Sequence, residues 1–309
     1  MKFVNVQAGG RSHLGILEGE HVFLFAALAR RVARAKARGK HRGAVAEIPD
    51  DLLSFIERGS PAQARAAMAL GRRLLRAGKA REISLPLARA RLLAPIPRPR
   101  KNIVCLGRNY AEHAKESGGS VPTVPIFFTK PPTCVVGPDA PVIHHAVTQQ
   151  LDYEVELAVV VGRRGRDIPV ERALAHVFGY TVMNDITARD LQRRHEQWFK
   201  GKSLDTFAPM GPAVVHRSAI PDPQNVILRL RVNGEERQHA STRSMVFSVA
   251  QIIAALSAGM TIEPGDIIAT GTPEGVAMGM TPPRWLKPGD VVEGEIEGIG
   301  VLRNRIVAP

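Results

Sequence analysis

Carboxylates at alternating positions are the first chemistry the sequence offers. In LDYEVELAVV, Asp152, Glu154 and Glu156 are spaced two apart. On an extended strand that spacing puts all three on one face, with Tyr153, Val155 and Leu157 on the other. Like charges repel, and Glu is a poor strand former, so such a face is either solvated or neutralised by a cation. Hard Mg²⁺ or Mn²⁺ prefers carboxylate oxygens and leaves positions open for water and substrate. Both readings fit this segment alone. A further acid, Asp185, ends the apolar run FGYTVMND just before a new helical pattern, where a third ligand could stand.

Other residues could work beside such an ion. His113 and Glu116 in NYAEHAKE stand i, i+3 on one helical face. A carboxylate there can fix an imidazole tautomer and raise its basicity, although the same spacing describes an ordinary surface pair. Lys202 in FKGKSLDTFAP could hold a carboxylate or a developing enolate, or be a solvated lysine. ATGTPEGV, Ala269–Val276, has small and hydroxyl residues that admit a ligand close to the backbone, or simply a tight turn. Patterns for phosphate-binding loops, dinucleotide folds, zinc proteases, paired zinc cysteines and serine-hydrolase elbows are absent from the sequence.

Together these segments resemble the fumarylacetoacetate hydrolase family. The resemblance runs over residues 101–306 and rests on KNIVCLGRNYAEHAKE, LDYEVELAVVVG, GYTVMNDITARD, QWFKGKSLDTFAPMGP, VNGEERQ, DIIATGTPEGV and LKPGDVVEGEIEGIGVLRN, in that order. It implies a β-rich catalytic domain with a rolled, mixed sheet, usually assembled as a homodimer. It implies Mg²⁺ or Mn²⁺ held by Glu154, Glu156 and Asp185, with Asp152 outside the ligand set. His113 and Glu116 match the catalytic pair on a lid-like segment, and Lys202 the lysine that contacts substrate. Arg189, Gln192 and Thr272 match positions that hold substrate oxygens. The implied activity is hydrolytic C–C cleavage of acylpyruvates or related 2,4-diketo acids. The alternative is isomerase, tautomerase or decarboxylase action on oxaloacetate-like or hydroxymuconate-type 2-oxo acids.

The elements that must position these residues follow from periodicity. KNIVCLG, DIIATGT, VVEGEIEG and GVLRNRIV are expected to be strands, IFFTKP strand or loop, and LRLRVNGEERQHAS a hairpin turning at Asn233-Gly234. VERALAHVFGYTVMNDITARDLQRRHEQ predicts helix, strand, helix, and SVAQIIAALSAG a helix ended by Gly259. ESGGSVPTV, with Gly118 and Gly119, could hinge a lid. Upstream, HLGILEGEHVFLF reads as a hairpin, and Ala26–Ala37 and Pro61–Gly78 as helices. The fold class is therefore α+β and β-rich. A small N-terminal α+β domain over 1–95 is expected to precede a catalytic domain over 101–309, with Pro95, Pro97 and Pro99 forming an extended linker.

Charge follows the same division. Residues 1–100 hold 20 Lys/Arg against 7 Asp/Glu, and residues 101–309 hold 22 of each, so the first third carries the whole net +13. The dense run RRVARAKARGKHR, residues 30–42, has neither interleaved aromatics nor a nucleic-acid motif, which favours a solvated surface over nucleic-acid binding. Two cysteines are too few for a disulfide framework, and neither a signal-type leader nor a membrane-length apolar run is evident. A cytoplasmic, small-molecule enzyme is the expectation.

Overall fold

A computed structural model describes residues 1–37 and 48–309, for Lys36 and Ala37 the backbone alone. At its centre two strands, Val155–Val161 and Val177–Asn184, run antiparallel, with Val155 opposite Asn184. Both are buried along their whole length. Their near-continuous apolar, β-branched sequences, VELAVVV and VFGYTVMN, suit strands covered on both faces.

Ala208–His216 pairs with Val177–Asn184 on one side, and Ile267–Ala269 with Val155–Val161 on the other. Ile103–Gly107 then adds parallel to Ile267–Ala269, and Ile126–Lys130 adds antiparallel to it, so the sheet is mixed. A second sheet contains Ile227–Val232, Glu235–Ser241, Val291–Ile296 and Gly300–Val307. Its inner strands alternate buried with half-buried residues, as expected for a sheet with one covered face. Gly294 lets it approach the first sheet, since a Cβ there would lie 3.2 Å from a Val155 methyl. The fold is strand-rich α+β, as the sequence predicts.

The turns obey local chemistry. Asn233 and Gly234 have φ of 53° and 83°, the left-handed pair that a two-residue hairpin requires. Val249–Ser257 starts at a capping box of Ser248 and Gln251, and Pro61–Arg76 at one of Ser60 and Gln63. Gly259, at φ 72°, follows the first of these helices.

The N-terminal strands Lys2–Ala8, Arg11–Glu18 and His21–Leu24 join the large sheet, because Lys2 and Phe3 pair with Val215 and Val214. Phe3 also packs on Phe55 and on Phe178 of the central strand, at 5.0 and 5.3 Å between ring centroids. The proline segment forms no helix, but Pro95, Ile96 and Pro99 are buried, so it is packed rather than free. Of the basic run, Arg30, Arg31 and Arg34 are exposed on the helix Phe25–Ala37. Arg31 pairs with Glu82 at 3.0 Å. The remainder of the run lies outside the described residues. Among those described, no helix is long and apolar enough to cross a membrane.

Candidate active site

The acids do not share one continuous strand face. Pairing stops after Leu151–Asp152 and resumes at Val155, leaving Tyr153 and Glu154 between the two strands. Side chains replace the missing ladder bonds. Asn184 Oδ1 accepts from Glu154 N at 2.9 Å, and Gln238 Oε1 accepts from Val155 N at 3.0 Å. Asp152 stays outside the group that Glu154 and Glu156 form with Asp185. Its carboxylate accepts from Ala277 N at 2.7 Å and from Arg189 Nε at 2.8 Å. The expected common face is thus corrected, and Asp152 anchors an arginine.

Glu154, Glu156 and Asp185 do converge. One oxygen from each lies within 4.8 Å of the others, and all three residues are buried. Lys202 Nζ bridges two of them, 2.6 Å from Glu154 Oε2 and 2.8 Å from Asp185 Oδ2. Lys130, fully buried, donates to the other Asp185 oxygen. Burial opposes ionisation of Glu154, but Lys202 and Arg189 outweigh it and hold its carboxyl at about 2. Burial also weighs against the Lys202 ammonium, yet Asp185 and Glu154 keep its pKa above the ordinary lysine value.

Glu156 is the unbalanced member. Burial and the nearby Asp185 and Glu154 push its pKa well above the usual carboxylate range. Its Oε2 accepts from Gly271 N at 2.8 Å, while its buried Oε1 has no partner. A buried acceptor left over beside two other acids fits a hard divalent cation, which prefers all-oxygen donors.

His113 and Glu116 stand on the short helix Ala111–Glu116, with Nδ1 3.3 Å from Oε2. Gly275 N donates to the same carboxylate at 3.0 Å. Gly279 makes this arrangement possible, since a Cβ there would fall 2.1 Å from Glu116 Oε1. The TGTPEG loop therefore holds the acid that holds the histidine. Thr272 hangs from the same loop. Its hydroxyl donates to Val155 O at 3.0 Å and accepts from Gln238 Nε2 at 2.9 Å.

Arg189 and Gln192 come from the helix Arg189–Arg194, joined Nη1 to Oε1 at 3.0 Å. Arg189 Nη2 lies 2.6 Å from Glu154 Oε1 but makes no aligned hydrogen bond. Its buried guanidinium stays charged: burial works against it, and Asp152 and Glu154 more than compensate. A cavity of about 320 Å³ opens here, lined by His113, Glu154, Arg189, Gln192, Lys202 and Thr272 among others. The structure thus gathers six of the nine sequence-predicted residues around one cavity. Glu156 and Asp185 lie behind Glu154, and Glu116 behind His113.

Residues 102–307 match the family described as fumarylacetoacetate (FAA) hydrolase, C-terminal. The chain belongs to this family. It is 54% identical over 223 residues to the oxaloacetate tautomerase YisK of Bacillus subtilis, covering 71% of this chain and 74% of that protein. It is 43% identical over 262 residues to human mitochondrial oxaloacetate tautomerase FAHD2A, covering 84% and 81%. Among solved structures, a fumarylacetoacetate hydrolase from Exiguobacterium antarcticum superposes with a TM-score of 0.78 at 41% identity, covering 100% of both chains.

Several residues of this family member escaped the sequence reading. Lys130 is a lone lysine ending a strand, and nothing local marks it as Asp185's partner. Asn109 ties the helix start to the loop, donating to Thr270 O at 2.8 Å and Phe247 O at 3.0 Å. Gln238 is the one buried residue of the strand Glu235–Ser241, whose other residues are exposed or half-buried. That contrast emerges only once the strand's register is known.

Proposed function

We propose that the chain is a divalent-cation-dependent tautomerase of oxaloacetate-type 2-oxo acids. The observation that carries this is the buried trio Glu154, Glu156 and Asp185, with its orphaned Glu156 oxygen, beside a cavity lined by His113, Arg189 and Lys202. Hydrolysis of diketo acids, first in the sequence reading, moves to second place. The relatives with the names and identities given above support the tautomerase alternative better.

The three carboxylates would hold Mg²⁺ or Mn²⁺. A cation there would supply Lewis-acid polarisation of the substrate's 2-oxo group. Arg189 and Gln192 bind and orient the carboxylate beside that group, and the Asp152 contact fixes the guanidinium for this task. With Nδ1 committed to Glu116, His113 keeps Nε2 to move the proton at C3. Lys202 Nζ steadies the negative charge that collects on the 2-oxo oxygen. The proton lost from C3 returns on that oxygen, so keto and enol forms interconvert with no other reactant.

Hydrolysis remains the second reading because the His113–Glu116 pair could equally direct water at a distal carbonyl. Parallel turnover of enol-oxaloacetate and acetylpyruvate with Mg²⁺ separates the two. Faster tautomerisation is expected, and efficient acetylpyruvate cleavage with unaltered oxaloacetate would overturn the order. The same proposal keeps 1–95 and 101–309 as two units sharing one sheet, and a homodimer as the assembly. Exposed Val121, Val124 and Phe127 support the latter as an apolar surface beside the site.

A further inference from the structure

Arg108 has no part in the site as described so far, yet it lines the same cavity as His113, Glu154, Arg189 and Lys202. It follows the strand Ile103–Gly107 with φ 57°, in the left-handed region that side chains seldom adopt. Residues held that way are fixed by their surroundings and concentrate at functional sites. Here the surroundings are specific. The Arg108 guanidinium lies over the Trp198 ring, 5.8 Å from its centroid. Trp198 packs edge-on against Phe128 at 5.4 Å, and Phe128 in turn faces Lys202 Nζ at 5.1 Å.

Two glycines clear the space for this stack. A Cβ on Gly107 would lie 2.2 Å from the Trp198 ring, and one on Gly119 would lie 2.6 Å from Arg108 Cζ. Gly119 belongs to the segment that follows the His113 helix, so Arg108 stands between that segment and the aromatic wall.

The cavity's other arginines and its lysine are held by protein groups, and Arg189 and Lys202 are already assigned to the near end of the substrate. Arg189 is held by Asp152, Glu154 and Gln192, Lys202 by Glu154 and Asp185, and Arg193 donates to Gln150. Arg108 has no carboxylate or carbonyl partner among the described residues, and exposed Glu196 at the rim makes no ion pair with it. A half-buried guanidinium stacked on one face keeps its planar fork of donors for a ligand. That fork matches a carboxylate, with two parallel N–H···O bonds.

We propose that Arg108 recognises the distal carboxylate of the substrate, so that the pocket selects dicarboxylic 2-oxo acids over those with an uncharged tail. This rests on the 2-oxo acid reading above. A substrate with an apolar tail would leave the guanidinium unpaired, whereas a dicarboxylate engages both ends of the cavity.

The test uses malate and lactate of the same configuration. These hydroxy acids share one chelating end and differ in the distal carboxylate. Calorimetric titration of the full chain in Mn²⁺ is expected to show malate bound about tenfold or more tightly than lactate, as one charge-assisted bond would give. Arg108→Gln should bring that ratio close to one with lactate affinity unchanged. Arg108→Lys should keep part of it, having the charge without the fork. Equal weakening of both ligands would make Arg108 a prop for Trp198 and overturn the proposal, as would a wild-type chain without preference. Steady-state kinetics separates this from the proposed reaction. If oxaloacetate is not turned over but the Arg108-dependent preference stands, the tautomerase reading falls alone. If oxaloacetate is turned over with the same KM in Arg108→Gln, the recognition falls alone.

Discussion

Replacing Glu156 by Gln should make the metal-free protein more stable and the metal-loaded protein less so. The isostere keeps an oxygen to accept from Gly271 N and offers an amide N–H where Oε1 now has no partner. Glu156 is buried beside Asp185 and Glu154, with oxygens of the trio within 4.8 Å. At that separation each like-charge pair repels by about 3 kcal/mol at an effective dielectric of about 20, and Lys202 offsets part of the sum. A raised folded-state pKa means that folding favours the protonated acid. The associated stability is intact below the ordinary value of 4.5 and is lost as pH rises above it. By pH 7 the loss is at most about 3 kcal/mol. The Gln variant, which does not titrate, escapes it. In chelator, thermal unfolding followed by Trp198 and Trp285 fluorescence should therefore show no advantage for Glu156→Gln at pH 4. At pH 7 its midpoint should be higher, by about 2–4 °C per kcal/mol. With Mn²⁺ at a hundredfold excess over Kd, wild type should gain about 2.7 kcal/mol and the variant much less, reversing the order. A variant less stable than wild type in chelator at pH 7, or an equal response to Mn²⁺, would refute the reasoning.

Three other outcomes follow from the same geometry. Asp152→Ala removes one of the two carboxylates that hold the buried Arg189 guanidinium, together with the acceptor for Ala277 N, and should cost about 1–3 kcal/mol in urea unfolding while Glu154, Glu156 and Asp185 stay in place. His113→Ala should slow proton transfer by about 10²–10⁴-fold with metal affinity unchanged, and Glu116→Gln should cost less; Gly279→Ala, which displaces the Glu116 carboxylate, should lower turnover in the same direction as Glu116→Gln. Changing exposed Arg30 and Arg34 to Gln should leave turnover unaltered, and a loss of turnover with the fold intact would give the basic helix a role it lacks here.

What could be read from sequence was whatever a short segment states by itself. A hairpin announced itself at Asn233-Gly234, one helix end at Gly259, and reactive residue types by their rarity in such contexts. Glu154 and Glu156 were legible as a pair, but the periodic argument behind them was incomplete. A strand rule cannot foresee that Asn184 and Gln238 accept from the backbone N–H groups of Glu154 and Val155, or that Asp152 bonds to Arg189. Lys130 and Arg108 were illegible for a related reason. Each is an isolated basic residue whose meaning comes from a partner 55 residues away for Lys130 and from the distant Trp198 ring for Arg108. Gly107 read as the end of a strand and Gly119 as a possible lid hinge, and Gly279 carried no signal, whereas each clears room for a side chain from elsewhere in the chain. Long-range contacts of this kind leave no local pattern.

The central claim is that the cation site and His113 together move a proton at C3 of a 2-oxo acid. Its most direct measurement is the ultraviolet decay of freshly dissolved enol-oxaloacetate, followed with catalytic amounts of the chain in Mg²⁺, in chelator, and with His113→Ala in Mg²⁺. Rapid decay is expected in the first case and decay near the uncatalysed rate in the other two. Equal acceleration with and without chelator, or an undiminished rate in His113→Ala, would contradict it.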